Sequence, residues 1–449
     1  MQSRTHAMWA LLALVPAVRS QITTVDGFRA TSFALPKASK GAWSGLTVLP
    51  NGDVVSFDGQ KLTSIDPTTG KIKATLAMIA VSSFGTDVAL GPTGKTVFFG
   101  ESTTGGLFVH DLVNHTTRRF ATLGGNYSFA FHPGQGERYL WCSAHPGFQG
   151  TVKVFRINVL TGVADLIAEA DGYAGPIAID ETGALFFAPA PKNLSTPKLG
   201  KILRWSATDV LTAIGPKSLA EKDATVFARG FNNAFDLLRD GQGTFYAADI
   251  FSNATHSPSL LEIGPGGGGF AAGLLRLKGW APTSLHLERA AQPFERFGRA
   301  GAKLWMIMSD FVNGKEALIA MTAHRPTLTV TPSMRPKPNT LLAFQASRLP
   351  ANALAVWMFG APLLPERPLF ALGAGGLMFP GFGVILTAPH LLLVGPTTAQ
   401  GTARFDIRAP NVVNLAWTTQ VLTGPVRKLP GGTPASVWVT TDAIEVITQ

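Results

Sequence analysis

A chain of 449 residues is long enough for one large domain and a smaller one. With 46% hydrophobic and only 15% charged residues, it has the material for a sizeable core, which excludes a largely disordered protein. The formal charge is +10, but Lys and Arg are scattered without a polybasic run or interleaved aromatics, which excludes nucleic acid as the expected partner.

The first twenty residues read as a secretory leader. Arg4 and His6 form a basic start, Ala7 to Val18 an apolar run too short to span a bilayer comfortably, and Val18-Arg19-Ser20 a small-x-small cleavage site before Gln21. A secreted or cell-surface protein is therefore expected. Cys142 is the single cysteine, so no intramolecular disulfide can form and stability must come from packing.

From residue 46 onward a unit recurs: an apolar strand, a polar turn with glycine, a second apolar strand. Its copies are Leu46 to Phe57, Asp87 to Phe99, Phe129 to Trp141, Ile177 to Phe187 and Phe235 to Tyr246. A sixth runs from Ser284–Leu287 to Lys303–Met308 with an insertion between its strands. The turn glycines Gly52, Gly94, Gly136 and Gly183 lie 42, 42 and 47 residues apart, and Gly243 follows after 60. The longer step is ascribed to a loop around Lys192 to Leu199. Tight hairpin turns favour glycine because it reaches positive φ without a Cβ clash. Two further strands follow in each unit, as in Lys61 to Asp66 and Lys71 to Leu76, or Val152 to Ile157 and Val163 to Ile167. Four strands per period of this length predict propeller blades, which bury their faces only on one another. The expectation is an all-β six-bladed β-propeller over residues 21–330, with Phe28 to Leu35 supplying the outer strand of the last blade.

The blades resemble the NHL and SMP-30/gluconolactonase superfamily of six-bladed propellers over residues 28 to 325, on patterns such as Gly175-Pro-Ile-Ala-Ile-Asp-Glu-Thr-Gly-Ala-Leu-Phe-Phe187. That superfamily includes lactonases, lyases and plain binding proteins, so the resemblance speaks to fold before activity. Its lactonases hold a divalent metal at the channel mouth through carboxylates and asparagine. Phe231-Asn-Asn-Ala-Phe235 followed by Ala247-Ala-Asp249 resembles their asparagine-bearing blade, with Ala234 where a glycine commonly stands. What the resemblance implies is a binding site drawn from Asn232, Asn233, Asp249, Glu101 and Asp310. Asn233, Asp249 and Glu101 are its metal candidates, and such oxygen ligands suit Ca²⁺ or Mg²⁺.

After Pro326 the period is lost. Pro332, Pro336 and Pro338 flank a basic stretch, and residues 331–339 read as an exposed linker. Strands then resume at Ala353–Phe359, Gly383–Thr387, Gly401–Ile407, Leu415–Val421 and Ser436–Thr441, predicting a small β-sandwich over residues 340–449. The apolar run Leu369 to Val394 could suggest a membrane helix, but its density of Gly and Pro argues for strands and turns. The region resembles the C-terminal sandwich modules of large secreted bacterial proteins in its Gly-Thr-Ala-Arg-Phe-Asp-Ile strand, Ala409-Pro-Asn411 turn and Trp-Thr-Thr-Gln strand. Phe382 stands where that family often has cysteine. An accessory or surface-attachment role is implied.

Local catalytic motifs are missing: no His-Glu-x-x-His, no Cys/His cluster and no Gly-x-Ser-x-Gly. Gly264 to Gly269 lacks the Lys-Ser/Thr of a phosphate loop and reads as a hairpin turn. Acids recur by blade position. Asp58, Glu101, Asp249 and Asp310 follow second strands, while Asp87, Asp180 and Asp236 lie near first strands, and for all of them turn capping is the leading expectation. His132 and His145 each adjoin proline in a turn, where a surface position is expected. Asn114, Asn126, Asn193 and Asn253 each begin a glycosylation acceptor sequence. Two functions follow. One is a secreted binding protein taking a glycan, peptide or small molecule at the channel rim. The other is a metal-dependent lactonase-like hydrolase or lyase.

Overall fold

The computed structural model describes residues 21–447, apart from 25–27, 81–82, 146–149, 194–195, 197–198, 216, 242, 251–258, 265–266, 268–271, 279, 291, 293, 295–301, 311–312, 324–326, 332–335, 348, 350–352, 369–380, 383, 410–415, 425–437 and 441–443. The leader sequence, residues 1–20, lies outside the described residues. The described residues form two compact units, one built from 30–292 and 302–321 and the other mainly from 322–449.

The first unit is a six-bladed β-propeller. Blade one comprises Ser44–Val48, Val54–Phe57, Lys61–Ile65 and Ile72–Met78; blade two Gly85–Leu90, Thr96–Glu101, Gly106–Asp111 and Thr116–Thr122. Blade three comprises Asn126–Ala130, Tyr139–Ala144, Thr151–Asn158 and Ala164–Asp171; blade four Ile177–Ile179, Leu185–Phe187, Gly200–Trp205 and Thr225–Phe231. Blade five comprises Ala234–Arg239, Phe245–Asp249, Ser259–Ile263 and Ala272–Lys278. Blade six takes Ala281–Glu288, Lys303–Asp310 and Lys315–Ala323 and adds Phe28–Leu35 as its outer strand, as the sequence predicted.

Each blade lies between two neighbours, and the sequences follow from that. Second strands are apolar on both faces and buried throughout, as in Val54–Phe57, Leu185–Phe187 and Phe245–Asp249. Outer strands such as Ile72–Met78 and Thr116–Thr122 are mostly exposed and polar. The core is accordingly divided into clusters between adjacent blades. Phe57, Val88 and Phe99 join blades one and two, Phe98, Phe129 and Leu140 blades two and three, and Trp141, Leu185 and Trp205 blades three and four. Leu46, Val54, Trp305 and Leu318 join the last blade to the first. The closing contact is also polar: Glu316 of blade six accepts hydrogen bonds from Trp43 N (2.7 Å) and Ala38 N (3.3 Å) ahead of blade one. The turn glycines of the repeat, Gly52, Gly94, Gly136, Gly183 and Gly243, all have φ between 56° and 92°.

Two features depart from expectation. Gln21–Thr24 adds a fifth strand to blade five, pairing antiparallel with Ala272–Lys278 from Gln21 opposite Lys278. The long step to Gly243 is not only the loop near Lys192. A helix at Ala207–Ala213 and a short 3₁₀ turn at Glu221–Asp223 are inserted between the third and fourth strands of blade four. Ser206 and Asp209 close a capping box on that helix, a spacing visible in the sequence.

The second unit packs two sheets. Thr327–Thr331, Leu341–Ser347 and Ala403–Arg408 form one. The other contains Leu354–Pro368, Val384–Pro396, Ala416–Gly424, Gly381–Phe382, Trp438–Thr440 and Ile444–Ile447. Leu342, Phe344 and Ala346 of the first meet Ala355, Trp357, Phe359 and Val421 of the second, the aromatic-rich core of a sandwich. The strand Thr327–Thr331, which the sequence reading left with the propeller and the first linker residue, pairs with Leu341–Ser347. In the predicted linker, Lys337 and Asn339 are exposed and Pro336 is buried, while Asn339 N donates to Ala409 O (3.1 Å) and Ala409 N to Thr340 O (2.8 Å), which ties its end to the sandwich. Val384–Pro396 is a strand, and among the described residues no helix is long and apolar enough to cross a membrane.

Candidate functional site

The first strand of each blade borders the channel, and five of the six open onto it through side chains ahead of their first fully packed residue. A cavity of about 220 Å³ sits at that end. Trp43 and Ser44 reach it from blade one, Asp87 from blade two, Tyr127 and Ser128 from blade three, Ala174 from the approach to blade four, Asp236 from blade five and Ser284 from blade six.

The positions are equivalent in the repeat and do equivalent work. Asp87 Oδ2 accepts Phe129 N of the next blade (2.7 Å), Ser128 Oγ accepts Ile177 N (3.3 Å) and Asp236 Oδ2 accepts Leu285 N (2.6 Å). Each is a latch to the neighbouring blade. The acids also accept the N–H of their own successor, Val88 and Leu237, both at 2.7 Å. In blade one the same place is Gly45, at φ 64°, where a Cβ would come within 2.0 Å of Val88 N. No side chain fits there. Tyr127 crosses part of the channel: its hydroxyl donates to Phe235 O (3.0 Å), and its ring meets Phe235 edge-on at 5.6 Å. Asn126 is held beneath, its Oδ1 accepting Thr86 Oγ1 (2.6 Å) and its Nδ2 donating to Glu101 O (2.8 Å).

Asp87 and Asp236 lie on the first strands of blades two and five, half-buried by surface yet enclosed in the channel. Burial raises both carboxyl pKa values well above the ordinary range, and the charge of Asp87 raises Asp236 further. The backbone donors oppose this without cancelling it. Burial, then Asp236, then Asp87, holds the Tyr127 hydroxyl protonated. The pair therefore resists carrying two negative charges unless a cation joins it.

The acids following second strands lie one strand further out. Glu101 pairs with Gly85, and Asp249 with Ala234, across from the starts of the first strands. Glu101 accepts Ser83 Oγ (2.6 Å), Thr104 N (2.9 Å), Gly106 N (2.6 Å) and the Thr104 hydroxyl. Burial pushes its carboxyl up, but these donors outweigh that and leave it below its ordinary value. Asp58 caps Gln60 N and Lys61 N, and Asp310 caps Asn313 N (3.0 Å). Asp249 accepts Asn232 N (3.2 Å) and Asn233 N (3.0 Å), and burial lifts its carboxyl to about 6. Asp180 caps a hairpin turn through Thr182 N and Ala184 N.

These residues bear on the Ca²⁺ or Mg²⁺ that the resemblance implied. Asn233 Oδ1 is buried without a hydrogen-bond partner, which suits a cation ligand. The carboxylates of Asp249 and Glu101 face their own loop N–H groups in separate blades. Among the described residues no three His, Cys, Asp or Glu side chains assemble as a metal-holding group. Among the described residues this donor set does not form a metal shell. His132 and His145 are buried, not on the surface as expected. His132 stacks on Trp141 and His145 tilts against Tyr173; burial lowers both pKa values, and neither lines the cavity. Asn114 and Asn193 are exposed, Asn126 is buried, and Asn253 lies outside the described residues.

The acidic sequence candidates lie at the ends of second strands, whereas the acids lining the cavity lie on first strands. The signal that finds Asp87, Ser128, Asp236 and Ser284 is their common place immediately before Val88, Phe129, Leu237 and Leu285.

No family model matches the chain, and no curated protein matches it in sequence. Solved structures match in fold. A calcium-binding protein, regucalcin, from Agrobacterium tumefaciens is 14% identical with a TM-score of 0.45, over 68% of this chain and 97% of that one. Virginiamycin B lyase from Staphylococcus aureus is 13% identical with a TM-score of 0.40, over 66% and 99%. The PQQ-bound aldose sugar dehydrogenase from Streptomyces coelicolor is 14% identical with a TM-score of 0.41, over 66% and 98%. The likeness concerns the fold and carries no activity.

Proposed function

We propose that this is a secreted binding protein whose small-molecule ligand occupies the channel cavity. The observation that carries the reading is the convergence of five blades and the approach to blade four on one cavity lined by two carboxyl groups and aromatic rings. Asp87 and Asp236 exceed what the fold requires. Ser128 latches its neighbouring blade with a neutral hydroxyl, so the latch alone does not call for an acid. A metal-assisted hydrolase or lyase draws less support, because its candidate carboxylates cap turns.

The test is a thermal-shift screen of small molecules on the whole protein and on an Ala174→Trp variant, whose indole would fill the cavity. Ligands that raise the melting temperature of the parent protein should leave the variant unmoved. Hits that stabilise both equally place the site elsewhere.

A further inference from the structure

We infer that the cavity selects an organic cation: a compact apolar body, of the size of one aromatic ring with a short chain, bearing a primary or secondary ammonium group. This rests on the reading of the cavity as the binding site and names the chemistry it takes.

Size comes first. A cavity of about 220 Å³ exceeds the roughly 150 Å³ that accommodates benzene, leaving room for a short substituent. The walls supply both halves of the recognition. Phe84, Tyr127 and Phe235 offer aromatic surface to an apolar body, and ring faces attract an ammonium. Among the described residues, Asp87 and Asp236 are the acidic groups of the lining, and no Lys, Arg or His lines the cavity to neutralise them. Lys40 Nζ lies 5.6 Å from the Phe84 ring centroid, but Lys40 is not part of the lining.

Asp87 accepts Val88 N, Phe129 N and the Ser128 hydroxyl, and Asp236 accepts Leu237 N and Leu285 N, so each carboxylate keeps acceptor capacity for an ammonium without breaking the ring of latches. In a protein of formal charge +10, long-range attraction does not bring a cation here. Selectivity must come from the local pair. An ammonium lets the carboxyl pair ionise and compensates it, a neutral isostere makes no such charge pair, and an anion would meet two carboxyls in a low-dielectric space.

Calorimetric titration of the full chain with 2-phenylethylamine, 2-phenylethanol and 3-phenylpropionate compares one body with three charges. The amine should bind at least tenfold more tightly than the alcohol, and the carboxylate least. Asp87→Ser and Asp236→Ser, which copy the hydroxyl latch of Ser128, should each weaken the amine about tenfold while leaving the alcohol within twofold. Circular dichroism melts verify that the variants fold; should either not fold, the three-ligand ranking on the parent protein decides alone. Equal binding of amine and alcohol, or preference for the carboxylate, overturns the cation inference and leaves the cavity reading standing. If none of the three binds, both fall.

Discussion

Asp87 and Glu101 sit on adjoining strands of one blade, and burial raises both carboxyl groups, yet their net shifts are opposite because the donors around Glu101 outweigh its burial. Glu101 is wrapped by four donors from Ser83, Thr104 and Gly106, so its folded pKa falls below the ordinary 4.5. Its stabilisation is present above that ordinary value and is lost as pH falls through the lowered folded one. Asp87 and Asp236 are raised, so the folded state favours their protonated forms. Their ionisation costs stability progressively as pH rises from the ordinary 3.8 toward the raised values, with Tyr127 and Cys142 the other titratable groups that feel Asp87. Glu101→Gln should therefore cost about 1–3 kcal/mol at neutral pH, and less in acid, read by urea unfolding at pH 7 and pH 3.5. Asp236→Ser should raise the melting temperature relative to the parent protein at pH 8, with the gain shrinking at pH 4. A gain that is independent of pH would contradict the buried-pair account.

At the scale of elements, the ring depends on how its two ends meet. Phe28–Leu35 completes blade six, and Glu316 accepts two backbone N–H groups from the segment leading into blade one. Burial pushes the Glu316 carboxyl above its ordinary value despite those donors, so it is held there at some cost. Glu316→Ala leaves Trp43 N and Ala38 N without their acceptor. The expected loss is about 2–3 kcal/mol with an unchanged urea m-value, since the same surface still unfolds. A neutral result would mean that the packing of Trp43, Trp305 and Leu318 closes the ring without help. The closing strand was legible in the sequence because Phe28 to Leu35 precedes the first repeat and blade six lacks a fourth strand. The extra strand Gln21–Thr24 was not. Four residues carry too little pattern, and their place is set by the open edge of Ala272–Lys278.

For the whole molecule, we propose that the propeller and the sandwich fold independently. Each has its own apolar clusters, and the propeller's last strand ends at Ala323 while the sandwich begins with Thr327–Thr331. A chain of residues 21–323 should remain folded, show a cooperative melt and keep the ligand response of the full protein. Aggregation of that fragment, against a soluble full chain, would make the two units one cooperative body.

What the sequence determined by itself was everything that recurs. A blade cannot bury its faces alone, so the same apolar strands had to appear in six units, five of them with a turn glycine, and repetition exposes the fold, the strand order and the closing segment. The sandwich was legible as strands and not as pairings, because its strands lack a period and their register is set across the sheet. Only the tertiary structure decided the site. Turn-capping acids such as Glu101 and Asp249 and channel acids such as Asp87 and Asp236 are the same residue types at similar distances from a strand end. The difference between them is which space the side chain enters. That depends on six blades meeting around one axis, a relation between residues as far apart as 43 and 284 that no local spacing encodes.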